Sequence, residues 1–341
     1  DVVDHNQINP EIGSRDEFER LVDTLHRHGM GLLIDVVPNH MGVLAGDNHW
    51  WMDVLENGRA SEYAGYFDID WQPADPLLAG RVLLPLLGDQ YGEVLERGEL
   101  ALAFERDTGS FALRYYEHRL PLDPATYAVL LERALGTGAA EALPTEARTA
   151  LESVAAAFGH LPSREAGDTA ARAERQRDKE IHKAALARLA REQPAAADAI
   201  EAMVAAVNGT PADRASFGTL DAVIDAQAYR LAFWRVAGDE INYRRFFDIN
   251  ELAALRTEEP AADLRTRRRR QGRRPAHRPS GRTARSRRLL PPPAAGLCAA
   301  HRSAGRAGGP AAVRRRREDR RAARAVAGMG PARHDRLSLL Q

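Results

Sequence analysis

Only one of the 341 residues, Cys298, is a cysteine, so no disulfide framework can organise this chain. Lysine is almost missing as well: two of the 48 basic residues are Lys, and with abundant Ala this usage reads as translation from DNA rich in G and C. No apolar run reaches the ~18 residues of a membrane helix and no secretory leader pattern occurs, so the chain is expected to be cytoplasmic and to have no membrane partner. Aromatic residues are absent from the last 78 positions, all 21 of them lying before position 248. Carboxylates are absent between Asp263 and Glu318. The formal net charge of zero therefore hides two unlike parts. Residues 264–341 carry 23 Arg against three acids (Glu318, Asp319 and Asp335), a net of +20, which leaves −20 for the preceding 263 residues. A segment so basic and without rings cannot bury enough apolar surface to offset an ordering entropy of about 1–2 kcal/mol per residue, and disorder is the expectation for it. The chain opens on Asp rather than Met, so its beginning is expected to be missing.

What is present is concentrated upstream. Gly31 to Gly42, GLLIDVVPNHMG, is an apolar run ending in Asp35, Pro38, Asn39 and His40. It reads as a fully buried parallel strand stopped by Pro38, with Asn39 and His40 on a ligand-facing rim at its carboxyl end. A helix precedes it: Ser14 and Glu17 form a capping box, Phe18, Leu21, Val22 and Leu25 repeat at helical spacing, and Gly29 is the stop. With the short DVVDH strand at Asp1 to His5, this makes a βαβ unit, which favours a parallel sheet or barrel over a sandwich.

Asn48 to Trp71 is dense in rings, among them Trp50, Trp51, Tyr63, Tyr66 and Phe67. Such rings bind flat sugar faces, and the alternative is ordinary packing of a long loop. Residues 83–116 alternate like a small β element with turns at Gly88 and at Asp107 to Gly109. Thr126 to Val207 reads as largely helical, and its Ala-rich middle suits a charged helix pair more than a catalytic segment. In Asp221 to Asn250, Tyr229 and Phe233 can share a helix face, while Asp239, Glu240, Arg244, Arg245 and Asp248 form either a structural ion-pair network or catalytic groups.

Together DVVDH, DVVPNH, WWMDVLENG (Trp50 to Gly58), YFDIDW (Tyr66 to Trp71), LLPLLGDQYGEVL and YRLAFWRVAGDEINYRRFFDIN resemble the maltooligosyltrehalose synthases, a branch of the α-amylase clan, glycoside hydrolase family 13. DVVPNH is common to the clan, whereas the last string is more specific to the branch. The resemblance runs from residue 1 to about Pro260 and implies an α/β fold: a partial TIM (β/α)8 barrel of the α-amylase type lacking its first strand, with an inserted α/β and helical subdomain. The implied boundaries are 1–70 for barrel strands and helices, 71–219 for the insertion, 220–262 for the return to the barrel, and 263–341 for an out-of-frame, disordered tail. Open sheet edges on so partial a barrel predict instability or aggregation.

The implied activity is intramolecular transglucosylation, turning the reducing-end α-1,4 bond of a maltooligosaccharide into an α,α-1,1 bond, with no metal and no cofactor. His40 would bind the hydroxymethyl side of the sugar at the cleavage subsite and His5 would shape that subsite. Asn39, Trp50 and Trp51 would contact substrate, and Asp4 and Asp35 would organise the strand tips. Alternatives are an amylase-like hydrolase or glucosyl transferase and, in another class, an Arg-rich nucleic-acid-binding protein using the tail, which is disfavoured because random frames of GC-rich DNA yield Arg, Ala and Pro.

The pattern breaks after FDINELAALRTEEP, where the branch should continue into a strand like DGLRIDHPDG bearing the nucleophile. Read from the second base of each codon, Arg273 to Thr283 (RRPAHRPSGRT) can encode DGLRIDHPDGL. In the same offset Arg314 to Asp319 (RRRRED) can encode VVVEKI, like the strand of the acid/base, and His334 to Leu337 can encode TTGY. The tail thus reads as a frameshifted translation in which Arg278 and Arg317 stand where the two carboxylates of a retaining mechanism belong. As written, no catalytic residue is retained and the chain is expected to be inactive.

Overall fold

The computed structural model describes residues 2–4, 7–32, 37–43, 48–211 and 213–258. The chain divides into two units, Asp1–Ala276 and His277–Gln341, and the second lies wholly outside the described residues, as does the Arg-rich tail expected from 263.

Helix α1, Arg15–Arg27, begins where the capping box requires. The Glu17 N–H donates to Ser14 Oγ at 3.3 Å, and the Ser14 N–H donates to the Glu17 carboxylate at 2.7 Å, so two orphan donors of the first turn are satisfied by each other's residue. Past the C-cap, Gly29 at φ +69° turns the chain out of the helix, a conformation that a side chain would oppose.

The Gly31 to Gly42 stretch departs from the expectation. Residues 33–36, Asp35 among them, lie outside the described residues. On either side Leu32 and Val37 are exposed, at 37% and 40%, rather than enclosed as in a buried parallel strand. The strand that does form is β1, His40–Gly42, on the far side of Pro38 and antiparallel to its partner, residues 249–254. Proline has no N–H for a ladder, so pairing starts after it.

Helix α2, His49–Asn57, is tied to β1 through its cap: Asn48 Oδ1 accepts from the Trp51 N–H at 3.1 Å while Asn48 Nδ2 donates to the Gly42 carbonyl at 2.8 Å. Strand β2, Val82–Leu87, is a continuous apolar run and almost wholly buried. The next residues form a short helix, α3 (Tyr91–Glu96), so the alternation read across GDQYGEVL belongs to a helix and not to a strand. An antiparallel meander follows, β3 (Leu100–Glu105), β4 (Ser110–Tyr115) and β5 (His118–Pro121), with Gly109 at φ +63° in the β3–β4 turn. Four helices then pack on one another: α4 (Tyr127–Leu135), α5 (Thr145–Gly159), α6 (Thr169–Glu192) and α7 (Pro194–Val207).

After α8 (Gly218–Asp225), Tyr229–Phe233 forms strand β6, parallel to β2 with Val82 opposite Tyr229. Tyr229 and Phe233 were expected on one helix face, but residues four apart share a face in a strand too, and the parallel partner decides the matter. A short helix α9 (Ala237–Glu240) leads into the hairpin β7 (Arg245–Phe246) and β8 (Ile249–Ala254), whose second strand takes β1 as its other neighbour, giving sheet order β1-β8-β7. The described residues are thus a mixed α/β structure whose one core cluster runs from Met41 to Leu255.

Candidate functional site

Three stretches far apart in sequence meet on the β1-β8-β7 sheet. The first is Asn39 and His40. His40 is buried and its ring stacks on Phe246 of β7, with centroids 3.9 Å apart and planes at 18°. Its Nδ1 lies 3.0 Å from Asn39 Oδ1, a contact that helps fix the ring. Asn39 is itself exposed at the side chain and held by its carbonyl, which accepts from the Leu255 N–H at 2.9 Å.

The second and third stretches are Tyr66 to Trp71 and Asp239 to Arg245. The Asp70 N–H donates to the Asn242 carbonyl at 2.7 Å, and the Arg244 N–H donates to the Asp68 carbonyl at 2.9 Å. Buried Asn242 locks this junction to β2: its Oδ1 accepts from the Leu83 N–H at 2.9 Å, and its Nδ2 donates to the carbonyls of Asp70 and Arg81 at 2.9 and 2.8 Å. The seam borders an acidic pocket of about 580 Å³ lined by Asp68, Asp70, Asp75, Asp239 and Glu240 among others. Arg244 pairs with Asp68 at 2.9 Å and Arg245 with Asp248 at 3.4 Å, so these arginines are engaged in ion pairs.

The remaining expected site residues are dispersed. His5 and Asp35 lie outside the described residues. Asp4 Oδ2 stands 3.8 Å from His49 Nδ1. Trp50 and Trp51 are 1% and 0% exposed and do not present ring faces outward. Trp50 stacks on Tyr63 and meets Tyr66 edge-on, while Trp51 packs edge-on against Phe67 and Tyr243. For these two rings packing is the observed role, α2 turning both into the core.

A second constellation was not singled out from the sequence. Helix α6 turns Arg175, Lys179 and Lys183, spaced by four, towards α2, where Asp53, Glu56 and Asn57 face them. Lys179 Nζ reaches Glu56 Oε2 at 2.5 Å and Asp53 Oδ1 at 3.0 Å, and Lys183 Nζ pairs with Glu56 Oε1. Arg175 donates to Asp123 Oδ1 at 2.5 Å, to Asn57 Oδ1 at 3.2 Å and to the Pro162 carbonyl at 2.8 Å. Asp53 also accepts from Ser61 Oγ at 2.5 Å and Asn57 Nδ2 at 2.9 Å. Burial pushes the Glu56 carboxyl up, but Lys183 and Lys179 outweigh it and hold the group below its ordinary value. Lys179 is pushed down by burial and raised further by Glu56 and Asp53, so it stays charged. One signal in the sequence pointed here: Lys179 and Lys183 are its only two lysines.

Residues 1–119 match the alpha-amylase catalytic domain. That match takes in α1, β1, α2 and the elements from β2 to β4 and ends within β5, whereas the α6 half of the buried ion network falls beyond it. A protein named for maltooligosyl trehalose synthase in Mycobacterium tuberculosis (strain H37Rv) is 42% identical over 118 residues, 32% of this chain. A cyclomaltodextrinase of a Bacillus species is 34% identical over 104 residues, 28% of this chain. The matched stretches span 15% and 18% of those proteins' lengths. Among solved structures, the maltooligosyltrehalose synthase from Arthrobacter ramosus aligns over 79% of this chain and 22% of its own, at 30% identity and a TM-score of 0.43.

Proposed function

We propose that residues 1 to about 262 belong to a maltooligosyltrehalose synthase of the α-amylase clan: barrel strands and helices from 1–70 and 220–262, an insertion at 71–219, and out-of-frame translation from about 263. The observation that carries this reading is the junction of Tyr66 to Trp71 with Asp239 to Arg245, which hydrogen-bond to each other across more than 160 intervening residues and stand beside the His40–Phe246 stack. Asp239 to Arg245 lies in the string more specific to the trehalose-forming branch, and Tyr66 to Trp71 is another of the resembling strings. Their meeting beside Asn39 and His40 is what a shared sugar-binding wall requires, and the 42% identity to the mycobacterial protein supports the same branch.

In this reading the substrate is a maltooligosaccharide and the reaction moves its reducing-end glucosyl bond from α-1,4 to α,α-1,1. A retaining transfer needs a nucleophile and an acid/base on neighbouring strand ends, with carboxyl groups about 5–5.5 Å apart. His40, fixed by Phe246 and Asn39, would orient the sugar without supplying either group. The two carboxylates would be encoded in the shifted frame, at the triplets that begin within the codons of Arg278 and Arg317 of the written sequence. Two cations in their place remove both the covalent intermediate and leaving-group protonation.

The test compares the 341-residue chain with a version whose frame is restored and extended to the length of its relatives, each incubated with maltopentaose. The restored protein should consume reducing ends without releasing shorter sugars, and the chain as written should do nothing. New reducing ends would mark a hydrolase. Conversion by the 341-residue chain that is abolished by His40→Ala would overturn the frameshift reading, as would DNA sequence across codons 260 to 275 that keeps the written frame.

A further inference from the structure

The buried ion network forms the floor of a cavity of about 320 Å³ at the junction of α2, the β4–β5 edge and α6. That is the space of roughly ten waters at ~30 Å³ each, the lower end of the range for small-ligand sites and too little for a polymer. Its ionised lining balances: Asp53, Glu56 and Glu180 against Arg119, Lys179 and Lys183. Asp53, Glu56, Lys179 and Lys183 are enclosed, while the Glu180 and Arg119 side chains are 59% and 39% exposed and stand at the mouth. Half-buried Tyr63 adds an apolar ring, and Gln176 adds an amide whose Nε2 lies 3.4 Å from Asp53 Oδ1.

A lining of equal and opposite charges gives a net ion little to gain. Paired carboxylates and ammonium groups within hydrogen-bond reach of one another suit a hydroxyl, which accepts from the cation and donates to the anion at once. An aromatic ring beside such pairs, here Tyr63, suits the C–H surface of a sugar. Burying this many charges is costly and stabilises little beyond what an apolar core would, so a purely structural role leaves the adjoining cavity unexplained.

We propose that this cavity binds a small neutral polyhydroxylated molecule, a mono- or disaccharide. The ligand class rests on the carbohydrate reading above, and the location rests on the cavity alone. Calorimetric titration of the full 341-residue chain with maltose should show one site. Gln176→Ala should weaken it about fivefold by removing one hydrogen-bonding group, and Gln176→Trp, which fills the space from α6, should abolish it. Because the bulky variant can disturb packing, Glu180→Ala at the exposed mouth serves as the second probe and should weaken maltose severalfold with an unchanged near-UV spectrum. Val129→Ala, at an exposed position of α4 outside both the cavity and the seam, should leave the titration unaltered. Absence of maltose binding, preference for inorganic phosphate over maltose, or maltose binding that survives Gln176→Trp and Glu180→Ala would each overturn the proposal. Binding lost in His40→Ala but kept in Gln176→Trp would remove this site while leaving the carbohydrate reading intact. Failure of the frame-restored protein on maltopentaose would remove that reading without touching a maltose site mapped to Gln176.

Discussion

Replacing Lys179 by Met tests the ion network most directly. The Lys179 side chain is 2% exposed, and its Nζ is shared between Glu56 at 2.5 Å and Asp53 at 3.0 Å. Met keeps the volume and removes the charge, leaving Glu56 with Lys183 as its one ion-pair partner among the described residues, beside the Asn57 amide, and Asp53 with only hydroxyl and amide donors. Breaking a buried pair from one side costs about 3–5 kcal/mol, against a total stability on the order of 5–15 kcal/mol. Urea unfolding followed by the fluorescence of Trp50 and Trp51, both on α2, should therefore shift to a much lower midpoint. Adding Glu56→Gln to Lys179→Met should recover part of the loss, because the stranded anion is gone, with a coupling energy above about 1 kcal/mol. The pH dependence has a fixed sign. Glu56 is held below its ordinary value of 4.5, so its contribution is complete above that value and is lost as pH falls through the folded pKa. The acid-side slope of stability should flatten in Glu56→Gln. A Lys179→Met cost under about 1 kcal/mol, or single costs that simply add in the double variant, would refute this account.

Three further outcomes follow from the same geometry. Asn242→Ala strands the Leu83 N–H and the Asp70 and Arg81 carbonyls, at about 1–3 kcal/mol for a buried group left unpaired, so urea midpoints should fall by the equivalent of about 3 kcal/mol. Gly109→Ala places a methyl 2.1 Å from the Lys183 carbonyl oxygen at φ +63°, and limited proteolysis should show α6 cut faster as it is forced off the β3–β4 turn. Deleting residues 263–341 should leave the near-UV spectrum and the unfolding midpoint unchanged, since the core cluster runs from Met41 to Leu255; a large loss of stability would contradict the frameshift reading of the tail.

What was legible in the sequence was set by neighbours. The Ser14–Glu17 capping box spans three residues and predicts α1, and the turn at Asp107 to Gly109 follows from the one residue that accepts φ +63° without strain. What was illegible was decided at a distance. The Tyr229–Phe233 pattern fits a helix and a strand equally, and only β2, about 150 residues earlier, selects the strand. The strand His40–Gly42 likewise takes its direction from Ile249–Ala254, which no pattern within DVVPNH contains. Trp50 and Trp51 looked like sugar platforms because aromatic density is the same whether rings face solvent or core. The asymmetry of the neighbouring cap at Asn48, which bonds both Trp51 and Gly42, turns them inward.

The ion network was hidden for a different reason: Arg175, Lys179 and Lys183 at spacings of four on a polar helix look like any solvated face. The departure lies in residue choice. In a chain where all other basic residues are Arg, Lys occurs only at the two positions that grip Glu56 from successive turns. An ammonium is compact and turns its three donors freely, so at 179 it bonds Glu56 and Asp53 together within an enclosed space; a guanidinium is planar, longer and fixed in its fork. Lys179→Arg is therefore expected to behave as a disruptive change despite keeping the charge. The added bulk must push α6 from α2 or turn the fork away from one carboxylate, and overpacking of this kind costs about 1–3 kcal/mol. Measured beside Lys179→Met in the same urea titration, it should lose at least ~1 kcal/mol. An Arg variant as stable as the parent would mean that the spacing between α2 and α6 is not set by the ammonium, and that the two lysines carry no information about the network they hold.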